Sequence, residues 1–204
     1  MKHILTSADG AIDRQFVELA LKETDRIVDL VRNMKNFYQP TSARVETVDL
    51  GLLLRDLLSF NRKYLEENQV RLDFERSEGF FCDCVPDQLR QVFLNLVTNA
   101  VEAMPEGGRL SIKVRRIDEN QVAVDVSDTG VGINETDLAH IFDMFYTKKP
   151  KVKGVGLGLS VSYGIIRRHG GSIAVSSQLG KGSCFTVTLP VNATANQQPL
   201  AEAN

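Results

Sequence analysis

The stretch PDQLRQVFLNLVTNAVEAM, residues 86–104, decides how this chain is read. Pro86 and Asp87 open a strongly apolar helix, and Pro105 with the Gly107-Gly108 pair ends it after Met104. Inside that helix Asn95 and Asn99 stand four residues apart, so both amides project from one face, with Glu102 a turn further along near it. Asparagine is a poor interior helix former because its amide competes for backbone groups, and a buried amide must find partners. A ligand rich in oxygens and a hydrated metal ion would supply them; amides that cap neighbouring loops within the fold would satisfy them equally.

Working outward, residues 110–114 and 122–126 each alternate apolar with polar across a polar link, which reads as an antiparallel hairpin. Upstream, Asp49 can cap a helix through Leu52, Leu53, Leu57, Leu58 and Tyr64, and strands are expected over residues 70–74 and 80–84. Downstream, Asn134 with Asp137 resembles a helix start, and another helix should begin near Gly158 and end at Gly170-Gly171. Strands near 172–176 and 183–189 follow, and a small polar tail after Pro190 reads as disordered. The expected class is α+β, a two-layer α/β sandwich whose mixed sheet is covered by helices on one face.

Over residues 13–39 the positions Phe16, Leu19, Ala20, Ile27, Leu30, Val31, Met34 and Phe37 recur at threes and fours, closed by Pro40. The apolar stripe of this long helix must be buried against a partner helix or second subunit, or folded back on its own domain. The expected division is a stalk helix over residues 1–40, one domain over 41–190 and a tail over 191–204.

A composition of 43% hydrophobic and 25% charged residues excludes a disordered or collagen-like chain. The net charge of −2 with scattered basic residues lacks the electrostatic footprint of a nucleic-acid binder. Three cysteines leave one unpaired in any disulfide scheme, and Cys82 and Cys84 alternate as in a strand rather than a metal knuckle, which suits reduced thiols in the cytoplasm. No apolar run approaches the ~20 residues that cross a bilayer, so a membrane anchor would belong to other segments of a parent protein.

Two glycine groups complete the pattern. Asp128-Thr129-Gly130-Val131-Gly132 follows a strand and precedes a helix, and Gly154-Val155-Gly156-Leu157-Gly158 precedes the next helix, whose first N–H groups can hold phosphate oxygens. Neither is a Walker loop, which needs Gly-Lys-Ser/Thr, nor a dinucleotide fingerprint, which follows a strand directly.

In this order the segments resemble the superfamily that joins gyrase, heat-shock protein 90, histidine kinases and mismatch-repair ATPases. Asn95 to Ala103 is similar to its N box, Asp128 to Gly132 to its first glycine box and Gly154 to Gly158 to its second. Ile141-Phe142-Asp143-Met144-Phe145-Tyr146-Thr147-Lys148 resembles the F box of histidine kinases, and Gly180-Lys181-Gly182-Ser183 the terminal glycine turn. The resemblance implies ATP and Mg2+ as cofactors, with Asn99 on the metal and Asn95 beside it. It implies Asp128 as acceptor for the adenine amino group, with Gly130 and Gly132 at the ring. Gly154, Gly156 and Gly158 would wrap the triphosphate, and residues 144–153 would form a lid in which Thr147 and Lys148, with Lys149, Lys151 and Lys153, lie near phosphates. A lysine run is equally a solvated loop. Many histidine kinases carry Lys or Arg where this chain has Glu102.

The resemblance further implies the ATP-binding catalytic core of a two-component sensor histidine kinase, a homodimer through the stalk helix that serves a response regulator. Hydrolysing members place a glutamate at the first N-box position, where Asn95 cannot act as a base for water. A serine-kinase anti-sigma factor and a non-catalytic nucleotide-binding module remain as alternatives, although the first lacks a stalk helix. The histidine that accepts phosphate is expected on another segment: at ~1.5 Å per residue, the run from His3 to Arg26 leaves two arms of about three turns each, and His3 precedes Ile4 rather than an acidic residue.

Overall fold

The computed structural model describes residues 44–75, 79–148 and 156–191, together with Val17, Leu21 and Thr24. The chain separates into two compact units, Met1–Thr41 and Ser42–Asn204. In the first, Val17, Leu21 and Thr24 are helical and exposed, spaced as on one helix face. The rest of the expected helix over 13–39, His3, and the tail past residue 191 lie outside the described residues.

The second unit begins with β1 (Glu46–Asp49), then α1 (Leu50–Phe60), α2 (Arg62–Glu67), β2 (Val70–Phe74) and β3 (Phe81–Cys84). It continues with α3 (Pro86–Glu102), β4 (Gly108–Arg116), β5 (Gln121–Asp128), α4 (Glu135–Leu138), α5 (Gly158–Arg168), β6 (Ser172–Gln178) and β7 (Gly182–Pro190). Asp49 caps α1 as the sequence suggests: its Oδ1 accepts the Gly51 and Leu52 N–H groups at 2.8 and 3.2 Å. Its Oδ2 also accepts the Gly79 N–H at 2.7 Å, which ties the helix start to the strand that follows. The single helix expected through Tyr64 is two, because the Asn61 amide donates to the Leu57 carbonyl at 2.7 Å and offers the backbone an alternative to the helical ladder.

Five strands form one sheet in the order β2-β4-β5-β7-β6, and β1 pairs with β3 in a separate antiparallel ribbon. Only the β2–β4 pairing is parallel, so the sheet is mixed. Its helix-facing side carries Leu110, Ile112, Val124, Val187 and Leu189, all buried against Phe93, Leu96, Ile165 and Ile166 of α3 and α5 among others. The opposite side is polar: Arg115 Nε meets Asp125 Oδ2 at 2.7 Å, and Thr186 donates to Asp125 Oδ1 at 2.7 Å. Those bonds hold the Asp125 carboxyl below the usual carboxylate range against the opposing effect of its partial burial. One apolar and one polar face is what an antiparallel sheet with a single helical layer requires, and the α+β two-layer arrangement is the one the sequence indicates.

Cys82 and Cys84 sit buried on β3 as free thiols. The Cys82 thiol is raised, chiefly because it hydrogen-bonds Cys84, whose own value is lowered by that bond. Among the described residues no group of three or more His, Cys, Asp or Glu could hold a metal, and no helix is long and apolar enough to cross a membrane.

His169 closes the helical layer. Its Nδ1 lies 2.8 Å from the Ile165 carbonyl, and its Nε2 accepts the Val85 N–H at 3.0 Å, which links the end of α5 to the start of α3. Accepting at Nε2 while facing a carbonyl at Nδ1 fixes the neutral Nδ1–H tautomer. His169→Ala leaves the Val85 N–H without its partner, while the Ile165 carbonyl keeps the backbone N–H of residue 169 at 3.2 Å, and is expected to cost about 1–3 kcal/mol in urea unfolding; an unchanged midpoint would show that the link carries no stability.

Candidate nucleotide site

The site is organised by the end of β5, the middle strand of the five. Asp128 is 8% exposed there, and its Oδ1 accepts two backbone N–H groups, from Gly130 at 2.8 Å and from Ser183 at 3.3 Å. Both hydrogen bonds from described residues fall on Oδ1, so Oδ2 is the oxygen left to a ligand. Burial pushes the Asp128 carboxyl up, and the two N–H bonds only partly offset it. Gly182 makes this approach possible: its φ is 101°, and a Cβ there would collide with the Asp128 carbonyl oxygen.

The loop beyond Asp128 is locked on both sides. The Val131 N–H donates to the Ala103 carbonyl at 2.9 Å, which joins it to the end of α3, and the Gly180 N–H donates to the Val131 carbonyl at 2.7 Å, which joins it to the β6–β7 turn. Gly130 lies against the Ala103 carbonyl and Gly132 against that of Gln178, so both glycines serve close contact between protein segments.

The polar face of α3 meets α5. Asn95 Nδ2 donates to Ser162 Oγ at 3.0 Å, and the Asn95 carbonyl oxygen packs where a Cβ on Gly158 would stand. The Asn95 amide nitrogen is thus paired inside the fold, while Asn99, one turn on, is half-buried. Gly158 begins α5, and no side chain caps the helix at Leu157, so its first N–H groups remain suited to an anion. Gly156, at φ 73°, accepts the Phe145 N–H on its carbonyl at 2.9 Å. Gly154 lies outside the described residues, as do Lys149, Lys151 and Lys153.

Ile141 anchors the segment before Lys148 in the core, and Phe142 packs on Tyr163 with ring centroids 5.6 Å apart. Lys148 pairs with Asp137, Nζ to Oδ2 at 2.7 Å, and Tyr146 donates to Asp137 Oδ1 at 2.8 Å. These two bonds, that to Lys148 foremost, hold the Asp137 carboxyl below its ordinary value and raise both partners. A phosphate that recruits Lys148 must therefore draw it from Asp137. Thr147 sits between these two partners of Asp137 and is exposed.

Ser162, Ser177 and Asp137 carry no motif that would mark them in the sequence. Their partners stand 67, 44 and 11 residues away, at Asn95, Ile133 and Lys148.

A buried acceptor at the end of a central strand, a polar helix face beside it and an uncapped helix N-terminus are groups of the kind that can hold a nucleotide. Consistent with this, the histidine kinase-, DNA gyrase B-, and HSP90-like ATPase family model matches residues 84–193. The chain belongs to that family. It is 31% identical over 204 residues to Sporulation kinase E of Bacillus subtilis (strain 168), covering 97% of this chain and 27% of the relative. It is 35% identical over 186 residues to the sensor histidine kinase ZraS of Escherichia coli (strain K12), covering 91% and 39%. The chain thus spans well under half the length of these curated relatives. Among solved structures, the catalytic domain of histidine kinase ThkA matches with a TM-score of 0.66 at 28% identity, covering 74% of this chain and 99% of that one. Full-length ShkA in complex with AMPPNP matches with a TM-score of 0.73 at 26% identity, covering 88% and 39%.

The raised Asp128 carboxyl has a definite consequence for stability. A buried charge costs free energy above its folded pKa, and the cost disappears as pH falls and the group takes up a proton. Asp128→Asn keeps an Oδ1 acceptor and removes the charge, so the free protein should melt at the same or a higher temperature at neutral pH. The gain should shrink as pH falls through the raised pKa, while ATP affinity drops at least tenfold through loss of the acceptor. Paired thermal melts and calorimetric titrations check this, and a destabilised variant that binds ATP normally would contradict it.

Proposed function

We propose that this chain is the ATP-binding catalytic core of a two-component sensor histidine kinase, which presents the γ-phosphate to a stalk histidine, from which it passes to a response-regulator aspartate. The observation that carries the reading is Asp128: a nearly buried carboxylate with one oxygen fixed by the backbone and the other left for the amino group of adenine. Family membership and the names of the similar kinases support it.

The residues fit the nucleotide. Asp128 would select adenine, and the N-terminus of α5 at Gly158, with Gly156 and Gly154 before it, would take phosphates. Thr147 and Lys148 would approach once Lys148 leaves Asp137. Asn99 offers an amide oxygen, a hard ligand that magnesium accepts beside waters and phosphate oxygens. With no carboxylate cluster nearby among the described residues, the nucleotide itself would supply most of the charge that holds the ion. Asn95, whose Nδ2 donates to Ser162, would join α3 to α5 beside the phosphates, and its amide cannot act as a base for water. What this chain contributes to phosphoryl transfer is position and charge stabilisation, with the nucleophile on the stalk.

In this reading residues 1–40 are part of the dimerisation stalk, residues 41–190 the catalytic domain and 191–204 a tail. Two copies pair through the stalk helix and work in the cytoplasm, and the acceptor histidine is not His3. Asn99→Ala is expected to remove magnesium-dependent ATP binding in isothermal titration while the fold is retained, and unchanged affinity would remove Asn99 from the metal. Incubated with labelled ATP and a separately supplied histidine-bearing stalk, the chain should place acid-labile label on that stalk. Label on the chain alone that vanishes in His3→Gln would overturn the assignment of the acceptor.

A further inference from the structure

Asp128 can recognise a purine only if its carboxylate is held at one height and angle, yet it stands where three backbone segments end: the loop after β5, the end of β6 and the start of β7. One side chain touches both segments that flank it. The Ser177 hydroxyl, near the end of β6, accepts the Ile133 N–H at 2.8 Å and lies 2.9 Å from the Gly182 carbonyl, to which it donates. It also lies 2.9 Å from the Ser183 hydroxyl. The backbone N–H of that same Ser183 is one of the two donors that fix Asp128 Oδ1.

We propose that Ser177 is a positioning residue for purine recognition: its hydroxyl sets the separation between the Asp128–Ile133 loop and the Gly182–Ser183 corner, and through them the aim of the Asp128 carboxylate. The inference rests on the reading of Asp128 as the adenine acceptor. Ser177 does not touch the nucleotide; it acts through the Ser183 N–H on one side and the Ile133 N–H on the other.

Three features make the hydroxyl decisive. A hydroxyl carries one donor and two acceptor positions, and here all three have partners, so among small side chains only the threonine hydroxyl reproduces the set. The loop is already tied nearer Asp128, where the Gly180 N–H meets the Val131 carbonyl at 2.7 Å, and the Ser177 hydroxyl adds the tie at its far end, Ile133, and joins it to the Gly182–Ser183 corner. Gly182 leaves no room for a Cβ beside the Asp128 carbonyl, so the corner and the end of β5 lie directly against one another. Misplacement on the order of 1 Å is enough to cost far more in recognition than in stability.

The test compares binding of ATP and of inosine triphosphate, which lacks the amino group, to the 204-residue chain. Wild type is expected to prefer ATP. Ser177→Ala should bind ATP about tenfold more weakly, the size of one net hydrogen bond to a charged group, with inosine triphosphate affected little, so that the preference narrows. Loss of folded protein alone would weaken both equally and leave the ratio in place. Ser177→Thr keeps the hydroxyl and Ser177→Val keeps the same shape without it, so this pair answers the question even if the alanine variant fails to fold: threonine should retain the preference and valine lose it. A valine or alanine variant that is folded and keeps the wild-type ratio overturns the inference while the Asp128 reading stands. A wild-type chain that binds both nucleotides equally overturns the Asp128 reading itself, and the inference with it.

Discussion

A single buried carboxylate at the end of the middle strand is the constraint on which the rest of this unit depends. Removing the Asp128 charge from water is unfavourable, and the fold offsets part of that cost with two backbone N–H groups that come from different places, one two residues ahead and one 55 residues ahead. Bringing the second to it requires the β6–β7 hairpin to lie beside β5 in one register, with Gly182 at the point of closest approach. The same register sends Val124 and Val126 of β5, with Phe185 and Val187 of β7, to the helix-covered side. Site and core are therefore products of one strand alignment, and a one-residue slip would lose both.

Much of the fold is legible because the elements that build it are long and regular. Pro86 and the glycines after Met104 bracket α3, the alternation in β4 and β5 marks a hairpin, and Gly170-Gly171 ends α5. What sequence reasoning missed is non-local or short. The four residues of β1 acquire a partner only when they meet β3, Glu46 facing Cys84 and Asp49 facing Phe81. The interruption of the first helix at Asn61 depends on a side chain turning back on its own helix, which a count of apolar positions does not register. The helix start seen at Asn134 is real but yields only four helical residues, and Asn134 makes no side-chain cap.

For the site, the motifs name the right neighbourhood without giving the contacts. Asn95 and Asn99 look alike in sequence, yet Asn95 is the seam between α3 and α5. The glycines of the first box read as room for a ring, and Gly130 and Gly132 also make room for the chain's own carbonyls. Lys148 reads as a phosphate ligand and is found on Asp137, a pairing that gives the free protein a defined position for this charge and gives an incoming phosphate something to compete with. In each case the missing information is a partner distant in sequence that only the folded backbone brings near.

Nucleotide binding at the site around Asp128 is tested most directly by amide hydrogen exchange with and without a non-hydrolysable ATP analogue and magnesium. Added protection is expected at residues 128–133, 156–160 and 177–183, with the outer strand β2 unchanged. Saturating analogue that leaves those segments unprotected, or that protects only other parts of the chain, would contradict it.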